Sequence, residues 1–349
     1  MTFRGTTREP TRSPAALSVV VPVYNAEAWV AETLRSVFAQ TVSRDRLELV
    51  VVDDGSADGS IGIIQDLLRA APVPSRLLQT PGNSGPSRAR NIGWQSATGR
   101  WVQFLDADDV LHPKKLATQG EVASREPEDV AVVYSPWTEL HCRHGEWEAF
   151  QPAFSPVVGP DAVVDLLRDE NTMVTGVPLF SRTWLERVGG WDERHRLIED
   201  NDLMLRIAMA GGRFAAAPSP EPLFYYRHTP DSLSKGKRQA FVEGCLRNVA
   251  MVETYWRETS GLTVNRARVL AEGYYRATRY YADVCPRRFS ELSDKLDELT
   301  GRFTPSGPWH MRLASRLIGY RRTELLASRY RGFKRWLRRQ AEVVRPAKG

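Results

Sequence analysis

Carboxylates fall in three tight groups along the chain: Asp53 and Asp54; Asp106, Asp108 and Asp109; and Glu199, Asp200 and Asp202. The first two groups each follow a short apolar run, Leu47 to Val52 and Trp101 to Leu105. Two such runs side by side as parallel strands would gather five negative charges in one crevice. That crowding is unfavourable unless a cation or hydrogen-bond donors offset it. A few hard oxygen ligands suit Mg2+ or Mn2+, which keep waters and bridge to phosphates. Asp-x-Asp is a short pattern, and a turn that caps a helix is the other reading of it. The third group opens a helical pattern. Acidic residues there serve either as caps favoured by the helix dipole or as a general base.

Other chemistry has less support. His141 and His144 lie near Cys142, but zinc needs more ligands than these. Cys142, Cys245 and Cys285 are odd in number and far apart, so they read as buried thiols and not as a disulfide framework. No G-x-G-x-x-G follows the first strand, and no G-x-x-x-x-G-K-[ST] occurs, which excludes a Rossmann dehydrogenase and a P-loop NTPase.

The elements that must position these groups are legible. Leu17 to Asn25 is a β-branched run without alternation, as in a strand buried on both faces of a parallel sheet. A helix is predicted over 28–39, with Val30, Leu34, Val37 and Phe38 on one face. Strand, acidic turn and helix recur at 47–70, a short strand is predicted at 77–79, and a helix over 87–97 follows the loop Pro81 to Pro86. Such repetition predicts an α/β, doubly wound, mostly parallel sheet with ligands at the carboxyl ends of its strands. Helix 114–124 and strand 130–134 come next, 137–158 is mixed and Pro-bounded, helix 201–211 follows, and a last strand is expected at 222–226. Beyond Ser234 only helical patterns remain, at 240–257 and 264–283, which places a domain boundary near 233.

These residues resemble glycosyltransferase family 2, whose fold is GT-A. The likeness lies in Val19 to Asn25, in Val51-Val52-Asp53-Asp54-Gly55-Ser56 with Asp58, and in Asn83-x-Gly85 with Ala89-Arg90-Asn91-x-Gly93. It continues in Phe104 to Asp109, and in Gly189-Gly190-Trp191-Asp192 followed by Glu199 to Arg206. It covers about residues 17–234. It implies an inverting, metal-dependent transfer of a single sugar from a nucleoside diphosphate sugar, a UDP-sugar favoured. The acceptor would be a hydroxyl of a glycan, a lipid-linked molecule or a metabolite. By motif position Pro22, Tyr24 and Glu27 line the nucleotide pocket and Asp54 reads the base edge. Whichever of Arg88 and Arg90, after the Gly85 turn, faces the crevice pairs with the diphosphate. The resemblance implies that Asp108 would coordinate Mn2+ or Mg2+ directly, with Asp106 beside it at the metal, contacting the ribose or a metal-bound water. On the same resemblance Asp200 would be the base, with Glu199 and Asp202 behind it. Relatives often carry Arg-x-His near the domain's end. Here Thr229 holds that place and His228 comes one residue early, so the resemblance carries no metal role over to His228. The processive Gln-x-x-Arg-Trp signature is matched only by Gly332-Phe333-Lys334-Arg335-Trp336, without the Gln, so one sugar per acceptor is expected. A non-catalytic module that binds nucleotide sugars or membrane on the same fold is the alternative.

Of 349 residues 42% are hydrophobic and 26% charged, which excludes collagen, coiled coil and wholesale disorder. No apolar run approaches the roughly 20 residues that cross a bilayer, and no signal peptide is visible, so a cytoplasmic protein is expected. The net charge of +6 conceals an asymmetry: from Arg302 onward, 13 Lys/Arg face two Asp/Glu. In that tail Leu326, Tyr330, Phe333 and Leu337 form a stripe among arginines. Such a helix suits an anionic membrane interface on the inner face, or packs its stripe and solvates its charges. No nucleic-acid module is present. The expected organisation is a flexible leader 1–15, a catalytic domain 16–233, a helical extension 234–300 and a basic amphipathic tail 301–349.

Overall fold

The computed structural model describes residues 16–150, 152–168, 173–195, 197–229 and 236–343. The leader, the boundary near 233 and the last residues of the tail lie outside the described residues. The chain divides into two compact units, residues 1–162 with 170–232, and residues 163–169 with 233–349.

The first unit is built on a seven-stranded sheet. Its strands are β1 (Leu17–Val23), β2 (Leu47–Asp53), β3 (Ser75–Gln79), β4 (Trp101–Phe104), β6 (Val130–Tyr134), β9 (Leu179–Ser181) and β10 (Arg213–Ala216), in the spatial order β10-β6-β9-β4-β1-β2-β3. β1 and β2 are buried along their whole length, as their predominantly apolar runs require. Every pairing is parallel except those of β9, which runs antiparallel to both β4 and β6. Helices α1 (Val30–Phe38), α2 (Ser60–Arg69), α3 (Pro86–Ser96), α4 (Lys115–Arg125), α6 (Arg182–Val188) and α7 (Glu199–Met209) connect the strands, while the short helix α5 (Ala162–Leu166) belongs, but for its first residue, to the second unit. The expected α/β doubly wound, mostly parallel sheet is therefore present.

From β1 the chain steps outward through β2 and β3, then returns to place β4 on the other side of β1. This reversal is a topological switch point, where open α/β sheets hold their ligands. Both acidic turns leave the sheet there. α3 lies so close to β1 that a Cβ on Gly93 would stand 2.3 Å from Val20 Cγ1.

The mixed stretch after residue 136 supplies two strands of a second sheet. β5 (Val110–Leu111), β11 (Phe224–Arg227), β7 (Trp137–Arg143) and β8 (Glu146–Ala149) pair in that order. Cys142 sits on the β7 side of the β7–β8 hairpin and is exposed, while Cys245 and Cys285 are half-buried. The expectation of three buried thiols fails, since one is exposed and none is fully buried.

In the second unit the described helices are α8 (Arg238–Thr259), α9 (Val264–Val284), α10 (Pro286–Thr300), α11 (Trp309–Ile318) and α12 (Tyr320–Val343). Its core includes Tyr275, Phe303 and Tyr320, with ring centroids 5.2–5.5 Å apart. Buried Glu253 ties three elements by accepting from Arg257, Tyr274 and Lys295 at 2.7–2.8 Å.

Candidate active site

The crevice at the carboxyl end of β4 and β1 is organised by Arg90. α3 carries this side chain inward until it is 3% exposed. Its two terminal nitrogens donate to Asp106 at 2.6 Å and to Glu199 at 2.9 Å, and its guanidinium lies 4.5 Å from the Trp191 ring centroid. One buried cation thus joins the turn after β4 to the start of α7. Of the two arginines after Gly85, this is the one that faces the crevice. Arg88 is more than half exposed and only 3.8 Å from Glu193.

The support for Arg90 comes from Asn91. Its amide donates to Trp191 O and accepts from Trp191 N, both at 2.9 Å, fixing the Gly189-Gly190-Trp191 turn on α3. Gly190 has φ +68°, and a Cβ there would come within 2.7 Å of Asn91 Oδ1 and Trp94 Nε1. The turn needs glycine on both counts.

Of the five aspartates expected in the crevice, three are turned to other work. Asp53 is buried and accepts from the N–H groups of Gly55 and Ser56. Asp54, 3% exposed, accepts from the Thr80 hydroxyl at 2.7 Å and from the N–H groups of Ser84 and Gly85. Asp109 is buried and accepts from Arg227 N at 2.8 Å. Burial raises the Asp109 carboxyl well above its usual range, and the Asp108 and Asp106 charges raise it further.

Asp106 and Asp108 remain at the opening. Asp108 accepts from the Thr229 hydroxyl at 3.2 Å. Burial, with repulsion from Asp106, pushes its carboxyl up to about 6. Asp106 shares the Arg90 charge with Glu199, so positive charge is in deficit here. Hard oxygen donors short of a counter-charge are the donor set that Mn2+ or Mg2+ takes, and these two residues fit such an ion.

The third acidic group splits by function. Asp202 is committed to structure: it is buried, pairs with Arg206 at 2.7 Å, and Arg206 donates onward to Val188 O and Gly190 O. Glu199 is held by Arg90. Asp200 accepts from Asn201 N at 2.7 Å, and burial, then repulsion from Glu199, raises its carboxyl to about 7. A carboxylate titrating near neutrality is suited to accept and release a proton.

At the other end of the crevice Pro22 is the next-to-last residue of β1, and Tyr24, just past its end, is half-exposed. Glu27 accepts from Gly59 N at 2.7 Å, which clips the loop after β1 to the loop after β2. Gly85 caps α3 with φ +94°. His228 turns to the second sheet. It stacks on His141 with centroids 4.4 Å apart, and its Nε2 lies 3.2 Å from Glu139. Thr229 is what meets Asp108, a role with no signal in the sequence beyond its place in the Arg-x-His pattern.

The glycosyl transferase family 2 profile matches residues 18–187. The succinoglycan biosynthesis protein ExoO of Rhizobium meliloti (strain 1021) is 31% identical over 217 residues, which are 60% of this chain and 61% of that protein. This chain therefore spans less than two thirds of that relative's length. Among solved structures, S. aureus TarS 1–349 in complex with UDP-GlcNAc superposes with a TM-score of 0.60 at 18% identity, over 90% of this chain and 92% of that one. The mannosyltransferase PcManGT from Pyrobaculum calidifontis, in complex with GDP-Man and Mn2+, gives a TM-score of 0.54 at 19% identity, over 94% and 91%. At such identities the likeness to the two structures is one of fold.

Proposed function

Because the chain belongs to glycosyltransferase family 2, we propose that it moves a single sugar from a nucleoside diphosphate sugar to a hydroxyl group, with inversion at the anomeric carbon. A UDP-sugar is the favoured donor, and the acceptor is a hydroxyl of a glycan, a lipid-linked molecule or a metabolite. The reading rests on one observation: Arg90 draws Asp106, neighbour of Asp108, and Glu199, neighbour of Asp200, to the same crevice.

In this reading Asp200 takes the proton of the acceptor hydroxyl. The acceptor oxygen bonds to the anomeric carbon as the bond from that carbon to the phosphate oxygen breaks, and the nucleoside diphosphate leaves from the opposite face. A positioned base typically contributes about 10²- to 10⁴-fold. Asp108, with Asp106, would hold Mn2+ or Mg2+, which when bound neutralises charge on the leaving diphosphate. Glu199 holds Arg90 in place and keeps Asp200 near neutrality by its charge. Pro22, Tyr24 and Glu27 border the base end, and Asp54 acts there through the 80–85 loop that it pins.

Hydrolysis of a panel of nucleotide sugars with Mn2+ and without acceptor tests this. One donor should be hydrolysed, and Asp108→Ala should abolish the reaction and the thermal shift produced by Mn2+. A protein that binds a nucleotide sugar but hydrolyses and transfers none of it would instead support the non-catalytic alternative.

A further inference from the structure

Large apolar side chains are concentrated at the surface of the two last helices. On α11, Trp309, Leu313 and Leu317 recur every fourth residue and are 67%, 50% and 71% exposed. On α12, Leu326, Tyr330 and Phe333 follow at i, i+4 and i+7 and are 56–58% exposed. These stripes are not the packing faces of their helices. Ser315 is the buried position of α11. α12 is held from its other side, where Glu324 is fully buried, Arg331 pairs with Glu324 at 2.8 Å and with Asp283 of α9 at 3.1 Å, and Arg321 reaches Asp294 of α10. Two amphipathic helices thus present apolar stripes to solvent, in excess of the scattered apolar residues a soluble surface carries.

Cations surround the stripes. α11 and α12 contain ten Lys/Arg against two Glu, and one of those, Glu324, is buried in its ion pair. Arg312 and Arg316 lie along the α11 stripe, and Arg322 and Arg329 along that of α12. Lys334 lies 4.8 Å from the Tyr330 ring centroid. Among the described residues no helix is long and apolar enough to cross a membrane.

We propose that α11 and α12 together form a docking face that lies in the interface of an anionic phospholipid membrane. Aromatic and aliphatic stripes enter the headgroup boundary while arginines meet lipid phosphates, the combination that holds amphipathic helices at charged bilayers. A second copy of this chain is disfavoured as the occupant because two such faces would bring like charges together. The face extends beyond the basic tail to α11, whose stripe carries no heptad or basic run.

Co-sedimentation of the full chain with phosphatidylcholine vesicles, with and without about 30% phosphatidylglycerol, tests the proposal. Binding should require the anionic lipid and weaken in high salt. Leu313→Ser with Leu317→Ser, and separately Tyr330→Ser with Phe333→Ser, should each lower the partition coefficient at least about tenfold. Donor hydrolysis in solution should be unchanged, so failure of the membrane proposal and failure of the enzymatic one are told apart. A second measurement uses variants that keep apolar bulk: brominated phospholipids should quench tryptophan fluorescence of the unaltered chain, and Trp309→Phe with Trp336→Phe should remove that quenching. The proposal is overturned if the unaltered chain stays in the supernatant with anionic vesicles, or if quenching persists in the double Phe variant. It is equally overturned if light scattering finds a dimer that the Ser substitutions dissolve.

Discussion

Arg90 and Glu199, 109 residues apart in the chain, meet at 2.9 Å, and the second nitrogen of the same guanidinium holds Asp106 at 2.6 Å. A planar fork can serve two carboxylates at once in a way that a point charge cannot. Removing one partner of a buried ion pair leaves the others uncompensated, at a cost of about 3–5 kcal/mol. Arg90→Ala should therefore lower the unfolding free energy by roughly 3 kcal/mol in urea titrations. It should also reduce transfer by about 10²-fold or more, since both acidic groups lose their anchor. Arg90→Lys should recover part of the stability and little of the rate. Unchanged stability in Arg90→Ala would contradict the organising role given to this residue.

The near-neutral titration of Asp200 has opposite consequences for activity and for stability. As the base it must be ionised, so kcat/KM should rise with pH through about 7 and level off above it. The fold, by contrast, favours the protonated acid. This stabilising contribution is complete below the ordinary carboxylate value of 3.8 and is lost as pH rises through about 7. Asp200→Asn should then abolish the pH-dependent rate while raising the melting temperature of the metal-free protein at pH about 8 relative to the unaltered chain. A flat rate profile in the unaltered enzyme, or a variant less stable at that pH, would remove Asp200 from the role of base.

The sheet was readable wherever local pattern and final environment agree. β1 and β2 are buried on both faces, and their mostly apolar, non-alternating runs announce this without tertiary information. The second sheet was hidden because its pairings are distant: β7 finds its parallel neighbour β11 with Trp137 opposite Phe224, and its burial fades from Trp137 to Arg143 without alternating. β9, three residues long, enters between β4 and β6 against the direction of both, which no local signal conveys. In the crevice, motif and chemistry drew attention to Asp106, Asp108 and Asp200. Residue type alone could not separate them from Asp53, Asp54 and Asp109, whose oxygens face backbone N–H groups. Thr229 stands out in the sequence only as a departure from the Arg-x-His pattern, since its meeting with Asp108 depends on where β11 returns.

Asp54 offers the sharpest separation between reading a base and shaping a pocket. Its carboxylate receives the Thr80 hydroxyl and two consecutive backbone N–H groups, those of Ser84 and Gly85, just ahead of α3. Leaving a buried donor without an acceptor costs about 1–3 kcal/mol. Asp54→Ala strands two of them and the hydroxyl, so it should be destabilised by a few kcal/mol in denaturant unfolding. Asp54→Asn keeps the size but sets an amide N–H2 against a backbone N–H, and should be destabilised less than Asp54→Ala yet still measurably. If Asp54 acts through the loop, Asp54→Asn weakens UDP and GDP by similar factors in isothermal titration, because the displaced 80–85 segment borders either base. A loss confined to UDP, with stability intact, would instead assign the carboxylate to the ring N–H of the base.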